Sequence, residues 1–291
     1  MKKLAVLLLS TLFLTSYSFA ESTVSGTAAP VTDANNGFDI TSTTSGVARV
    51  SVPTPAKPSI SIDKNMEIVE VTKHEEDAEL PYTIDYHYPQ ITGENLSKSA
   101  QEFNRLVTDM VGKSVQQFKN YVKADMPHMQ TLPDSVKHNS FLMDYKIDVV
   151  KPAKDILLSL RLSIEGMQAG RAHPYHTHQV LNFDLNRGKA LTLSDLFKPR
   201  VNYLNTLSKY ANHQLNTKLQ DKWMIKDGTA PLAKNYQLWN LNNNGILITF
   251  EEYQVAPYAA GPQEILIPYS ALKNLIAHNA PVVACTKMGC I

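Results

Sequence analysis

The sequence predicts an α+β fold: antiparallel sheets with helices packed on one face, arranged as two fused subdomains. Two observations lead there. Strand-like alternation and helix-like periodicity interleave in the order β-β-α-β-β-β-α-β-β-β-α, so hairpins alternate with crossing helices. The longest apolar stripe, over residues 95–124, recurs at spacings of three and four, as in a helix lying on a sheet. No internal repeat of fixed period is visible.

Residues 1–20 have the layout of a cleavable signal peptide. Lys2 and Lys3 precede an apolar run over residues 4–15, and Ser18-Phe19-Ala20 supplies small residues at the positions a signal peptidase inspects. The run is shorter than the roughly 20 residues a membrane-spanning helix needs, and no Cys follows it to carry a lipid. The mature chain is therefore expected to be periplasmic or secreted. Residues 21–64 are rich in Ser, Thr, Ala, Pro, Gly and Asn, with Phe38 as their one aromatic side chain. Too little apolar surface is available there to offset ordering entropy, which predicts a flexible linker, stiffened near Pro53, Pro55 and Pro58.

Residues 65–165 form the predicted N-terminal subdomain. Strands are expected over 66–71 and 82–88, the latter with Tyr82, Ile84, Tyr86 and Tyr88 on one face and closed by Pro89. The helix over 95–124 follows, with Gly112 as its weak point and Pro127 as its stop. A hairpin of strands 141–150 and 156–165 turns at residues 151–155. Residues 166–279 form the predicted C-terminal domain. It has a strand over 179–184, a turn at Asn186-Arg187-Gly188-Lys189, and a helical turn over 192–197 capped by Thr192 or Ser194. A helix over 202–219 comes next, then strands over 239–242 and 245–250 around an Asn-rich turn. A strand over 264–267 and a closing helix over 269–278, with Ser270 as cap, complete it. Residues 280–291 read as a C-terminal tail. They hold both cysteines, Cys285 and Cys290, which an oxidising compartment would let pair in a short loop that staples nothing distant.

Composition narrows the function. Charged residues are 19%, hydrophobic ones 43%, and the formal net charge is +1, so no nucleic-acid footprint is visible. No second apolar run is long enough for a membrane span after signal cleavage. Gly-x-Ser-x-Gly and His-Glu-x-x-His are both absent. Glu251 and Glu252 adjoin one another, and neighbours on a strand point to opposite faces, so they make no acid–base pair on their own. His173, His176 and His178 are weighed as ligands for Zn²⁺ or Cu²⁺, but a metal site needs three or four convergent donors and no Cys or acidic residue adjoins them. The reading is no metal and no cofactor: His173 ordering a turn before Pro174, and His176 and His178 along an exposed strand. The strongest surface candidate is the loop holding Tyr253, Pro257, Tyr258, Gly261 and Pro262, helped by His173. Its prolines stiffen it, Gly261 permits an unusual backbone angle, and its tyrosines offer rigid contact area. The competing reading is a loop that only positions two strands, with Tyr258 buried.

The second half also carries a recognisable string of motifs. Gly170-Arg171-Ala172-His173-Pro174 is followed by Leu181-Asn182-Phe183-Asp184-Leu185-Asn186-Arg187-Gly188-Lys189 and by Leu191-Thr192-Leu193-Ser194-Asp195-Leu196-Phe197. Ala256-Pro257-Tyr258-Ala259-Ala260-Gly261-Pro262 and Ile267-Pro268-Tyr269 come later. This string resembles the extracytoplasmic domain of unknown function of the DUF3298 type. That domain is shared by lysozyme-sensing anti-sigma factors of the RsiV type, membrane-anchored peptidoglycan deacetylases and a secreted mycobacterial antigen. The resemblance covers residues 166–275, and residues 68–165 resemble the smaller DUF4163-like region that precedes it. Arg171 departs from the usual second Gly of Gly-Gly-Ala-His-Pro. The chain shows neither the sigma-binding segment and transmembrane helix of the anti-sigma factors nor the catalytic domain of the deacetylases. The resemblance thus implies a fold and a binding tendency: an exported, non-enzymatic binding protein of the cell envelope whose partner is a lysozyme-like protein or a peptidoglycan fragment. A hydrolase acting on envelope polymers and a secreted structural or host-interaction protein are the alternatives.

Overall fold

The computed structural model describes residues 57–77, 79–288 and 290. The expected signal peptide and linker residues 21–56 lie outside the described residues.

The fold is α+β. Its larger sheet has seven strands in chain order: β1 (Ile60–Ser61), β2 (Met66–Asp77), β3 (Tyr82–Gly93), β4 (Asn139–Val150), β5 (Leu157–Met167), β6 (Tyr175–Asp184) and β7 (Lys189–Ala190). All neighbours pair antiparallel except β3 and β4, which are parallel. Helix α1 (Lys98–Met129) makes the crossover between them that parallel pairing demands. Ser97 caps α1, its hydroxyl accepting from the Ala100 N–H at 3.1 Å. The smaller sheet, in the order β10-β9-β8, consists of β8 (Trp239–Leu241), β9 (Gly245–Phe250) and β10 (Gln263–Pro268). Helices α2 (Tyr203–Asn216), α3 (Lys222–Gly228), α4 (Tyr269–Leu272) and α5 (Cys285–Met288) accompany it, with α2 packed on β10.

Alternation along β5 explains the layering. Leu158, Leu160, Leu162 and Ile164 join α1 residues such as Phe103, Val107 and Phe118 in one core. Leu157 joins the core of the smaller sheet instead, and Ser159 and Arg161 share its side of the strand. α1 therefore covers one face of the large sheet at β5, and the small sheet covers the other. A buried polar joint ties the two sheets together. The Ser159 hydroxyl donates to Asn182 Oδ1 at 2.7 Å and accepts from Asn240 Nδ2 at 2.9 Å and from the Leu241 N–H at 2.8 Å. Asn182 Nδ2 donates to the Trp239 carbonyl at 2.8 Å.

Several elements differ from their sequence reading. The ordered fold begins ahead of residue 64: Ile60 and Ser61 pair with β2, and Ile62 is buried. Pro89 lies inside β3 rather than at its end. Ile91 turns its N–H and C=O to the Asn104 side chain of α1, which meets each at 2.8 Å. Pro89, two residues earlier, has its nitrogen on that same flank, and β4 pairs with β3 only up to Tyr86. The missing N–H therefore breaks no ladder bond. Pro127 sits in the last turn of α1, where its ring frees only the carbonyl four residues before it. The closing helix stops at Leu272, preceded by Pro268 rather than capped by Ser270, because Ile276 is drawn into a bridge with Phe197. The large sheet runs unbroken across residues 165 and 166, and apart from Val150 and Leu157, which join the small-sheet core, the two cores part between Leu185 and Leu191. The tail is docked: Ala280, Val282, Cys285 and Cys290 are buried in the core of the small sheet, and the Cys290 N–H donates to the Asn243 carbonyl at 2.8 Å. Cys285 and Cys290 form a disulfide.

Candidate functional site

The site is built where β6 meets the loop after β9. Among the described residues β7 pairs only with Phe183 and Asp184, which leaves the edge of β6 open over its earlier residues. Even-numbered residues of β6 turn their backbone toward that edge, since Asn182 O accepts there from the Leu191 N–H at 2.7 Å. The His178 N–H on the same edge donates to Glu251 Oε1 at 2.7 Å.

Residues 251–254 form a tight turn, the Gln254 N–H donating to the Glu251 carbonyl at 3.0 Å. Tyr253 holds a left-handed φ of 64° there while 60% exposed, a conformation that costs energy in a non-glycine residue. Gln254 Nε2 donates to the carbonyls of Gly228 and Asn235 at 3.2 and 3.1 Å, and buried Val255 and Ala256 anchor the segment. A 3-10 turn, Tyr258–Ala260, then ends at Gly261 with φ 63°. A Cβ at Gly261 would meet nothing, so the backbone angle alone favours glycine.

This rigid loop presents Tyr258 to the β6 side. Its hydroxyl donates to the Pro174 carbonyl at 2.8 Å, and its ring lies 4.2 Å from His173 and 6.0 Å from Tyr253. Burial, and then the nearby Glu252 carboxylate, raise its phenol above the ordinary value. Tyr258 is half-buried, between the exposed and the buried alternatives. His176 Nδ1 pairs with Glu252 Oε1 at 2.7 Å, and His178 Nδ1 with Glu251 Oε2 at 3.0 Å. Between the loop and β4–β6 lies a cleft of ≈ 510 Å³, bordered by Tyr258, Gly261, Pro262, His176 and Glu252. Leu142, Asp144 and Glu165 close its far side. A second hollow of ≈ 300 Å³ lies on the other side of Tyr258, beneath Tyr253 and against His173. Pro257 borders neither, serving as the residue before the 3-10 turn.

His173, His176 and His178 do not converge. His173 lies in the turn before β6, its Nδ1 donating to the Pro174 carbonyl at 2.9 Å, while the other two each meet a separate carboxylate. Among the described residues no group of three or more His, Cys, Asp or Glu is arranged to hold a metal ion. Sequence reasoning set Glu251 and Glu252 aside because strand neighbours diverge. They lie past the end of β9, in a turn, and both carboxylates reach β6. Glu165 and Asp144 were also missed. The hairpin register could have revealed Glu165, which stands opposite His176.

An α+β domain with a stiff tyrosine loop closing over the edge of its main sheet is the class these features define. Residues 194–270 match the family model described as "Protein of unknown function (DUF3298)". It is similar to the peptidoglycan-N-acetylmuramic acid deacetylase PdaC of Bacillus subtilis, 29% identical over 195 residues, 65% of this chain and 38% of the deacetylase. It is similar to the anti-sigma-V factor RsiV of the same organism, 26% identical over 202 residues, 67% of this chain and 65% of RsiV. The immunogenic protein MPT64 of Mycobacterium tuberculosis matches at 26% over 109 residues, 38% of this chain and 48% of MPT64. The chain thus spans less than two thirds of each relative's own length. A DUF3298 family member from Bacteroides fragilis shares the fold with a TM-score of 0.56 at 19% identity, over 76% of this chain and 96% of its own. One from Pseudomonas aeruginosa does so with a TM-score of 0.50 at 14% identity, over 76% and 98%. The deacetylase among these relatives is by its name an enzyme of peptidoglycan. Among the described residues no helix is long and apolar enough to cross a membrane.

Proposed function

We propose that the protein is an exported, non-enzymatic binding protein of the cell envelope that recognises a lysozyme-like protein or a peptidoglycan glycan. One observation carries the reading: a tyrosine on a stiff, anchored loop overhangs a cleft of ≈ 510 Å³ with mixed apolar and carboxylate walls. Pre-ordering reduces the entropy lost when a partner docks, and a half-buried tyrosine is a typical binding anchor. The relation to RsiV and PdaC supports an envelope setting. The test is binding of the mature chain to lysozymes and muropeptides. Tyr258→Ala is expected to weaken binding by about 2 kcal/mol or more with little change in melting temperature, because the ring lies outside both cores. Wild-type protein that binds neither class of partner would refute the reading.

The hydrolase alternative rests on Asp144, Glu165 and Glu252 bordering the same cleft. Release of reducing ends from peptidoglycan by wild type, abolished in Glu252→Gln, would replace the binding reading.

A further inference from the structure

The Tyr258 cleft borders the even-numbered residues of β6. On the other face of that strand, Tyr175, Thr177 and Gln179 line a separate slot of ≈ 240 Å³, with Gln117 and Tyr121 of α1 on its opposite wall. Its floor includes the buried rings of Phe118 and Phe141. Among the described residues none that borders the slot is Asp, Glu, Lys, Arg or His.

Two features make the slot a receptive space rather than a packing gap. Gly166 stands opposite Tyr175 in the β5–β6 register. A Cβ there would lie 2.5 Å from the Tyr175 ring, so glycine lets that ring fold down over β5. The polar groups are also positioned with capacity to spare. Gln179 Nε2 donates to the Ser114 hydroxyl at 2.8 Å, and that hydroxyl donates to the Met110 carbonyl at 3.0 Å. The Gln179 side-chain oxygen is left as an acceptor, and the Gln117 amide has no partner among the described residues. Burial raises the Tyr175 phenol, so it remains a neutral donor.

Uncharged amides and hydroxyls over aromatic rings suit a neutral ligand with hydrogen-bonding groups at its rim and an apolar face. The volume falls below the roughly 300–1,000 Å³ of drug-sized sites, which limits the occupant to about one ring. We propose that this slot binds one N-acetylated pyranose unit of a glycan, its acetamide and hydroxyls on Gln117, Gln179 and Thr177 and its C–H face on the tyrosine rings. A de-acetylated amino sugar lacks the acetamide that Gln117 and Gln179 meet, and the Glu251 carboxylate beside Thr177 is already taken by that hydroxyl at 3.3 Å and by the His178 N–H at 2.7 Å. The inference rests on the glycan arm of the proposed function. Tyr175 and Thr177 also border the hollow beneath Tyr253 and Tyr258, so a longer glycan could continue past the slot along the β6 edge.

The experiment titrates the mature chain with tri-N-acetylchitotriose, followed by side-chain amide NMR signals and by calorimetry, with the fully de-acetylated trimer as comparison. Saturable binding is expected, with Gln117→Leu weakening it about tenfold, the loss of roughly one hydrogen bond to a neutral partner. Gln117 is exposed on α1, so its melting temperature should hold. The de-acetylated trimer should bind at least about tenfold more weakly. No saturable binding, equal affinity in Gln117→Leu, or equal affinity for the de-acetylated trimer overturns the slot. If Tyr258→Ala abolishes trimer binding while Gln117→Leu leaves it unchanged, the glycan belongs to the Tyr258 cleft: the slot assignment falls and the proposed function stands.

Discussion

At the scale of single residues, most of the joinery is polar and invisible to hydrophobic patterning. Ser159 is the clearest case. One buried hydroxyl serves Asn182, Asn240 and the backbone of Leu241, and so joins the two sheets. Ser159→Ala should therefore destabilise the fold by about 2–3 kcal/mol, because it strands buried groups rather than deleting one contact. Urea denaturation at constant m-value would check this, and a loss below about 0.5 kcal/mol would mean the joint rearranges. Nothing in the sequence around Ser159 marks it, since a serine in a strand usually faces water. The site was half legible for a related reason. Tyr253, Tyr258 and His173 stood out through their loop chemistry, whereas Glu251 and Glu252 were discounted by a strand rule that ends with the strand.

At the scale of elements, positions and types were readable and ends were not. Alternation located β4 and β5 to within two residues, and the three–four spacing found α1. Pro89 misled because a proline's effect depends on which flank of the strand its nitrogen faces, which only the fold decides. α1 is held to β2 by an ion pair between Lys119 and Glu75, with Tyr86 donating to the same carboxylate at 3.1 Å. The hydrogen bond from Lys119 is the main cause that holds the Glu75 carboxyl below its ordinary 4.5, and burial raises the Tyr86 phenol to about 12. A carboxylate stabilised by folding contributes fully above its unfolded value and loses that contribution as pH falls through the folded one. The stability difference between wild type and Glu75→Gln should thus be constant at neutral pH and shrink below about pH 4.5. Chemical denaturation across that range measures it, and a difference that grows on acidification would contradict the pairing.

At the scale of the whole molecule, the sequence reading erred at both ends of the fold for one reason: local composition does not reveal docking. Residues 60–62 look like the linker before them, yet β2 offers an edge that recruits them. The tail looks frayed, yet Val282 and Cys285 fill the core of the small sheet. The Cys285–Cys290 bridge therefore fastens a buried segment. Replacing both cysteines by Ser should cost about 2 kcal/mol, the loop-closure value for so short a ring, and lower the melting temperature measurably under non-reducing conditions. An unchanged melting temperature would show that the tail docks without its bridge. The open edge of β6 has a different kind of consequence. Unpaired strands invite copies of the same chain to add on, and charge placed against the edge is a common deterrent. Glu251 supplies that charge from the loop that carries the tyrosines. Colloidal behaviour and partner recognition consequently depend on one segment: a change that loosens residues 251–262 to admit a new ligand also unlatches the guard that keeps neighbouring molecules apart.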